Sequence, residues 1–168
     1  MKVRTFLVED NPIIRDNSIS MLEELTPVQT VGTCEAEAEG SGWLTRNSNR
    51  WNLAIVDLFL KNGSGLRVLE ACRQRSKRQK MVLFSNYAIP EMRSRCAQLG
   101  VDAVFDKSTE IDDLLAYCVA QAELFNSAPL AKKMSLPDPA QLQAVYQNTF
   151  SVARLRFSAS VVKVQAPL

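Results

Sequence analysis

The 168-residue chain contains no histidine. It therefore cannot carry a histidine-based metal site, a serine–histidine triad or a phosphohistidine of its own. Its four cysteines form no C-x-x-C pair, and we expect them to be buried free thiols. Three of them fall on the apolar faces of predicted helices. Such use of cysteine is typical of a protein in a reducing cytosol. Its apolar runs are too short for a signal peptide or a membrane span, which predicts a cytoplasmic protein without a membrane partner.

The motifs of nucleotide enzymes are missing as well, because neither G-x-G-x-x-G nor G-x-x-x-x-G-K-S/T occurs. A net charge of +2 is too small to indicate attraction to nucleic acid, and no helix-turn-helix pattern is evident. We therefore predict no direct nucleic-acid binding. The hydrophobic fraction of 46% is ample for the core of one domain.

Five short apolar runs have the composition of strands and alternate with amphipathic segments between residues 1 and 126. The strands are predicted at 6–8, 28–34, 53–57, 81–84 and 103–105. Such alternation is typical of an α/β fold with a parallel sheet and helices on both faces. Ligands of these sheets bind outside the carboxyl ends of the strands, so the residues that follow strands are the candidates for a site.

Each helix should bury one apolar face. In the first helix, which Pro27 should end, this face comprises Ile14, Ser18, Met21, Leu22 and Leu25. In the last helix, with Thr109 and Asp112 as a capping box, it comprises Ile111, Leu114, Leu115, Cys118, Val119 and Ala122. A helix is predicted over 35–49 although Gly40 and Gly42 lower its propensity, because Ala36, Ala38, Trp43 and Leu44 could cover the sheet. The basic run 73–80 should form a solvated helix end that complements the dipole, with a docking patch as the alternative.

Polar side chains follow four of the five predicted strands. Glu9 and Asp10 follow the first, Asp57 the third, Ser85 the fourth and Lys107 the fifth, so the topology places them in one crevice. Three carboxylates raise one another's pKa values unless a cation intervenes, and an all-oxygen set suits Mg²⁺. A carboxylate beside Mg²⁺ can attack phosphorus, which makes Asp57 a candidate aspartyl phosphate. Lys107 and Ser85 would then contact phosphoryl oxygens.

The same residues carry a resemblance to a family. In order and spacing over residues 1–126, the chain resembles the receiver domain of two-component response regulators; the matching segments are Val8-Glu9-Asp10, Val56-Asp57-Leu58 with Ser64-Gly65, Phe84-Ser85 and Phe105-Asp106-Lys107. The resemblance implies a flavodoxin-like, doubly wound sheet of five parallel strands in the order 2-1-3-4-5.

The resemblance also implies roles for these residues. Asp57 would be the phospho-acceptor, and Mg²⁺ would be held by Glu9, Asp10, Asp57 and the backbone carbonyl of Phe59. Ser85 would be the hydroxyl switch and Lys107 the phosphate-binding lysine. The partner would be a sensor histidine kinase or a histidine phosphotransfer protein, which supplies a phosphohistidine that this chain lacks. Its downstream protein target is not identified by the sequence, and a homodimer stays open.

Four positions depart from the family pattern. Lys61 and Ser108 stand where proline is frequent, and Asn86 stands where a small residue is common. The switch region would comprise Ser85, Val104 and Phe105, but Val104 occupies the place of the usual aromatic. Phe105 should point the opposite way, which argues against aromatic rotation as the readout. We still expect phosphorylation to bias the surface of helix four, strand five and helix five.

Residues 127–168 are predicted to be a linker and a C-terminal extension of unknown structure. Ser127-Ala128-Pro129 and Pro137-Asp138-Pro139 favour a linker, Leu142, Val145, Tyr146 and Phe150 fit a helix, and 157–164 has strand-like composition. An interaction segment and an extension without function are equally open.

Two other classes of protein remain as alternatives. One is a receiver-like interaction scaffold that is not regulated by phosphorylation. The other is an enzyme on a similar sheet, which the residues disfavour. A flavin protein would need a glycine- and hydroxyl-rich loop where Glu9-Asp10 stands, and a haloacid dehalogenase-like phosphatase would need an aspartate in place of Phe59.

Overall fold

Helices and strands alternate along the part of the chain that the structure, a computed structural model, describes, residues 2–127. The strands are β1 (Val3–Val8), β2 (Val28–Cys34), β3 (Leu53–Val56), β4 (Lys80–Ser85) and β5 (Ala103–Asp106). The helices are α1 (Pro12–Leu25), α2 (Glu37–Arg46), α3 (Gly65–Ala71), α4 (Pro90–Gln98) and α5 (Ile111–Ser127).

The five strands form one parallel sheet in the order β2-β1-β3-β4-β5, which confirms the predicted α/β fold and its strand order. β3 lies between β1 and β4, and all four of its residues are buried. β2 and β5 are the outer strands. The register between β1 and β2 shifts after Thr5, because Thr5 pairs with Thr30 while Phe6 pairs with Gly32, so β2 carries one extra residue.

The sheet separates two apolar cores, and alternate residues of the central strand contribute to each. Leu53 and Ile55 join the core on one face, and Ala54 and Val56 join the core on the other. This is the two-sided burial expected of a continuous apolar strand in a parallel sheet. Because both faces of the sheet are covered, polar side chains of the strands can reach solvent only at the strand ends.

The inward faces of α1 and α5 are narrower than predicted. In α1, Ser18 and Leu22 are buried, but Leu25 is 63% exposed in the last turn. In α5, Leu114, Cys118 and Ala122 are buried as predicted, whereas Ile111 and Val119 are each 36% exposed. The prediction was wrong at these three positions because a helix turns about 100° per residue, which carries residues at the margin of a stripe out of the core.

The predicted capping box of α5 is wrong, because the helix begins two residues after Thr109, at Ile111. The carbonyl of Glu110 accepts the first helical hydrogen bond, from Leu114 N at 3.1 Å, which makes Glu110 the capping position. Its carboxylate accepts a hydrogen bond from Asp106 N at 2.7 Å. Glu110 therefore takes the capping position at the start of α5 that was predicted for Thr109.

The basic run is not simply a solvated helix end. α3 ends at Ala71, before the run begins, and Lys80 belongs to β4. Arg75 donates to Asp102 at 2.5 Å and to the carbonyl of Gly100 at 2.6 Å. Lys80 donates to the same carboxylate at 3.0 Å. Asp102 lies more than 20 residues away in sequence, so the basic run alone does not predict this partner.

α2 forms although it contains two glycines. A Cβ atom on Gly40 would lie 2.9 Å from Cys34 Sγ, so the glycine lets the helix pack closely on β2. All four cysteines are free and buried, as predicted, and burial raises the pKa of Cys34 and Cys118 to about 12. Within residues 2–127, no helix has the length and apolar character to cross a membrane.

The C-terminal predictions stand mostly outside the described residues. The linker, the helix and the strand-like stretch proposed between 128 and 168 lie there. Ser127, predicted to be the first linker residue, is instead the last residue of α5.

Candidate functional site

The three carboxylates predicted from the strand ends converge at the carboxyl edge of the sheet. Each of Glu9, Asp10 and Asp57 offers one ligand atom within 4.8 Å of the others. β1 and β3 are neighbours, and Asp57 N donates to the carbonyl of Val8 at 2.9 Å. Glu9 is only 3% exposed, whereas Asp10 and Asp57 are half-buried.

Lys107 supplies the positive charge of this cluster. It follows β5, and its Nζ donates to Glu9 Oε2 and, at 2.9 Å, to Asp57 Oδ2. The ammonium group also lies 5.8 Å from the centre of the Phe84 ring. Among the described residues, three carboxylates against one lysine leave a formal surplus of two negative charges at this partly buried site. Such a surplus is the electrostatic condition for binding a divalent cation.

Ser85 lies beside the cluster with an unused hydroxyl. Its backbone pairs with Asp106 at the end of β4, and its carbonyl accepts from Lys107 N at 3.3 Å. Among the described residues, Ser85 Oγ is the one buried side-chain polar atom without a hydrogen-bond partner. A buried hydroxyl left in this way costs about 1–3 kcal/mol, so its presence points to a ligand oxygen that it meets in another state.

The backbone after Asp57 is tightly folded. Asp57 Oδ1 accepts from Leu58 N at 2.7 Å, and the carbonyl of Leu58 accepts from Gly65 N at 2.9 Å. A Cβ atom on Gly65 would overlap the carbonyl oxygen of Asp57, so only glycine fits there. Phe59, whose carbonyl the resemblance assigns to the metal, pairs with Ser64 across this loop. Its ring is 62% exposed and meets the ring of Tyr87 edge-on, with centroids 5.9 Å apart.

The two residues of the predicted switch region on β5 face opposite sides of the sheet, as alternation requires. Val104 packs on the core formed with Cys96 of α4, while Phe105 packs on the other core. The Phe105 ring meets Tyr117 of α5 edge-on, with centroids 5.7 Å apart. The position of the usual switch aromatic is therefore filled by an aliphatic side chain on the α4 face.

Two of the departures from the family pattern contact each other. Ser108 Oγ donates to Asn86 Oδ1 at 3.1 Å, which links the loop after β4 to the loop after β5. Both residues are exposed and lie next to site residues in the chain. The pair therefore connects the segment of Ser85 to that of Lys107.

Arg93 is a residue that the sequence did not reveal. From α4 it donates to the carbonyls of Ala88 at 2.9 Å and Val104 at 2.8 Å, and to Glu110 at 2.6 Å. The hydrogen bond from Arg93 is the main reason that the pKa of Glu110 lies below its ordinary value. Its partners are 5 to 17 residues away, a spacing that no local motif encodes.

The comparisons with known proteins agree with this geometry. A family model described as "Response regulator receiver domain" matches residues 5–118. The photosynthetic apparatus regulatory protein RegA of Rhodobacter capsulatus is 27% identical over 104 residues, 62% of this chain and 47% of that protein. The chain thus spans about half the length of this relative.

Solved structures share the fold. The receiver domain of Francisella response regulator 1452 aligns with a TM-score of 0.64 at 15% identity, covering 74% of this chain and 99% of that one. A chain in the crystal structure of the CheA3 P1 domain in complex with CheY6 from R. sphaeroides aligns with a TM-score of 0.52 at 20% identity, covering 62% and 81%. The sheet order, the residues gathered at its carboxyl edge and the match over 5–118 together show that the chain belongs to the response regulator receiver domain family.

Proposed function

We propose that this receiver accepts a phosphoryl group on Asp57 from a phosphohistidine of a sensor histidine kinase or histidine phosphotransfer protein. The observation that carries the proposal is one arrangement at the carboxyl edge of the sheet. Three carboxylates lie together, Lys107 pairs with two of them, and the only orphaned buried hydroxyl of the described residues lies on the neighbouring strand. A carboxylate acceptor, a cation to hold phosphoryl oxygens and a spare donor are the parts that this transfer needs.

Mg²⁺ fits this donor set. The three side-chain ligands are all carboxylate oxygens, and hard divalent cations prefer oxygen. In our proposal Glu9, Asp10, one oxygen of Asp57 and the carbonyl of Phe59 hold the ion. When bound, the ion supplies neutralisation of negative charge on the carboxylates and on the transferring group.

The protein residues then have defined tasks. The free oxygen of Asp57 attacks phosphorus, the phosphorus–oxygen bond forms, and the phosphorus–nitrogen bond of the phosphohistidine breaks. The imidazole leaves with the bonding electrons and takes up a proton. The Lys107 ammonium pairs with a phosphoryl oxygen, and the Ser85 hydroxyl donates to another. The hydroxyl of Ser85 would thereby gain a hydrogen-bond partner, which it does not have among the described residues.

The fold neighbour solved as a complex of the CheA3 P1 domain with CheY6 supports a partner of the kinase class. In our proposal the phosphorylated chain then presents an altered α4–β5–α5 surface to a downstream protein. Arg93 and the Asn86–Ser108 hydrogen bond join the loops after β4 and β5 to that surface. The four free cysteines fit a cytoplasmic location for this exchange.

Intact-mass measurement tests the acceptor. The chain is incubated with Mg²⁺ and a small phosphodonor such as acetyl phosphate, and we expect the mass of one added phosphoryl group. Asp57→Asn should remain unlabelled, whereas the control Asp112→Asn, on an exposed first turn of α5, should label normally. An unlabelled wild type, or labelling that survives Asp57→Asn, would overturn the proposal.

A scaffold that is not regulated by phosphorylation is the second candidate. Val104 in place of an aromatic, together with the hydrogen bond between Asn86 and Ser108, favours it because both alter the region that would report on Asp57. Beryllofluoride, a phosphoryl mimic, separates the two functions. Amide exchange of α4, β5 and α5 should change with the mimic if the chain is a switch and should stay unchanged if it is a scaffold.

A further inference from the structure

One side chain of α2 holds the loop that follows Asp57. Glu37 Oε2 accepts a hydrogen bond from the backbone nitrogen of Ser64 at 2.8 Å. The backbone nitrogen of Glu37 donates to the carbonyl of Asn62 at 3.0 Å, and Ala36 pairs with Asn62 as an isolated bridge. The far end of the loop is therefore fastened to the first turn of α2 by both main chain and side chain.

Gly63 gives this contact the space it needs. Its φ is 94°, in the left-handed region that favours glycine. A Cβ atom there would also overlap the side chain of Glu37. Two independent requirements, one conformational and one steric, thus keep position 63 without a side chain. The loop is shaped around the carboxylate of Glu37.

The fastening reaches the acceptor through Ser64. Ser64 pairs with Phe59 as an antiparallel bridge, and the next residue, Gly65, donates its N–H to the carbonyl of Leu58. Gly65 packs so closely on the carbonyl oxygen of Asp57 that a Cβ atom at position 65 would overlap it. Because these contacts join the two sides of the loop, a displacement of Ser64 would also move the backbone of Phe59 and of Asp57.

The charge of Glu37 has little other use in the described contacts. Arg67 Nη1 lies 3.9 Å from Glu37 Oε1, at the limit of an ion pair, and the arginine side chain is largely exposed. Such a pair contributes little to stability. The hydrogen bond to Ser64 N is short and charge-assisted, so it is the stronger contact of the two.

We propose that Glu37 is a positioning residue for phosphoryl transfer. By holding Ser64 it fixes the carbonyl of Phe59 and the backbone of Asp57 in the arrangement that Mg²⁺ binding requires. The inference rests on the proposed function for the metal and the acceptor, whereas the fastening of the loop rests on the contacts alone.

The test compares Glu37→Ala, which removes the acceptor of the Ser64 hydrogen bond, with Glu37→Gln, whose amide oxygen can still accept it. Three quantities are measured on the full chain. They are amide exchange of residues 58–65 without metal, the Mg²⁺ dissociation constant by calorimetry, and the labelling rate as a function of Mg²⁺. Glu39→Ala is the matched control, because it removes an exposed carboxylate from the same helix turn.

For Glu37→Ala we expect exchange about five- to tenfold faster, the effect of losing one charge-assisted hydrogen bond at a half-buried site. The Mg²⁺ dissociation constant and the Mg²⁺ concentration for half-maximal labelling should rise by about fivefold, with the rate at saturating Mg²⁺ within about twofold of wild type. Glu37→Gln should recover most of each change, because its neutral amide oxygen still accepts the hydrogen bond, and Glu39→Ala should match wild type.

Unchanged exchange and Mg²⁺ affinity in Glu37→Ala would overturn the inference. So would faster exchange without weaker Mg²⁺ binding, since the residue would then order the loop without positioning the site. A failure of Glu37→Gln to restore Mg²⁺ affinity would also overturn it. A wild type that never labels would refute the proposed acceptor function, while faster exchange and weaker Mg²⁺ binding in Glu37→Ala would still show that Glu37 positions the loop for the metal.

Discussion

Charged clusters lie at both ends of the sheet, and they differ in how well their charges are matched. At the end where β4 and β5 begin, Asp102 accepts from Met81 N at 2.8 Å, Arg75 at 2.5 Å and Lys80 at 3.0 Å. One carboxylate there meets two cations and a backbone donor. At the opposite end, the carboxylates of Glu9, Asp10 and Asp57 lie together, and Lys107 pairs with Glu9 and Asp57.

In our proposal the difference separates a structural cluster, around Asp102, from a reactive cluster, around Asp57. Around Asp102 the described acceptor atoms have donors, so the cluster joins two loops and has little capacity left for a ligand. Around Asp57, two formal negative charges and one hydroxyl remain unmatched among the described residues. Unmatched charges and donors gain more from a ligand than matched ones do. A ligand should therefore stabilise the Asp57 cluster more than the Asp102 cluster.

Removing the single cation of the reactive cluster should have the largest effect. We expect Lys107→Met to slow labelling of Asp57 by about 100-fold, because one preorganised charge on transferring oxygens contributes about that much. Labelling kinetics by intact mass measure the change. Lys77→Met, an exposed lysine near the other end of the sheet, is the control and should label as wild type. Labelling of Lys107→Met within threefold of wild type would show that the lysine only neutralises the resting site.

Breaking the matched cluster should affect stability and leave the chemistry intact. Asp102→Ala deprives Met81 N, Arg75 and Lys80 of their shared acceptor, and we expect the free energy of unfolding to fall by about 2–3 kcal/mol. Urea denaturation measures this loss. The labelling rate of the folded variant should stay within twofold of wild type. A tenfold slower rate would mean that the two ends of the sheet are coupled.

Protonation of Asp102 in acid should remove the same contribution to the free energy of unfolding. Burial raises the pKa of Asp102, but the hydrogen bonds from Met81 N, Arg75 and Lys80 together outweigh it, so the net pKa is lowered. A lowered folded-state pKa means that the stabilisation is present above the unfolded value of about 3.9 and is lost as the pH falls through the folded pKa. The stability difference between wild type and Asp102→Asn should therefore shrink below about pH 4. A difference that is constant from pH 6 to pH 3 would contradict this.

Ser85→Ala should have a smaller effect that runs in opposite directions for stability and function. Removing an unpaired buried hydroxyl should raise the free energy of unfolding by up to about 1 kcal/mol. The response of α4, β5 and α5 to beryllofluoride should be lost. Thr5 is equally buried but donates to the carbonyl of Val3 at 3.2 Å, so Thr5→Val should destabilise by about 1 kcal/mol. Equal losses in both variants would show that Ser85 has a partner in solution.

The exposed rings beside the reactive cluster should give the smallest effects. Tyr87→Ala removes one edge-on contact with Phe59 and should change the free energy of unfolding by less than about 0.5 kcal/mol. Because the contact with Phe59 joins the loops after β3 and β4 beside Asp57, its loss should admit water and hasten loss of the phosphoryl group by about two- to fivefold. Decay of the added mass measures this. A longer lifetime would mean that the ring assists hydrolysis.

The sequence predicted the sheet and the members of the site because both depend on simple regularities. Continuous apolar runs identify buried parallel strands, and parallel strands place their carboxyl ends at one edge. Glu9, Asp57, Ser85 and Lys107 therefore meet wherever such a sheet forms. The roles assigned to them remain predictions until the acceptor is tested.

The contacts that tie loops together were not predictable from the sequence. Arg93 with Glu110, Arg75 with Asp102 and Glu37 with Ser64 each join residues 17 to 27 positions apart. Their formation depends on where whole helices settle on the sheet, and local patterns do not contain that information. The exposed margins of α1 and α5 have the same origin, since the breadth of a buried stripe is decided by the neighbouring elements.

The extra residue of β2 has a consequence for the border of the sheet. β2 is an outer strand, and an open row of backbone groups at the border of a sheet is a template on which another molecule can add a strand. The offset after Thr5 bends that border and interrupts its regular spacing. β5, at the other border, offers only four residues. From the described strands we therefore expect both borders to be poor templates for adding a strand, although β2 carries no charged residue.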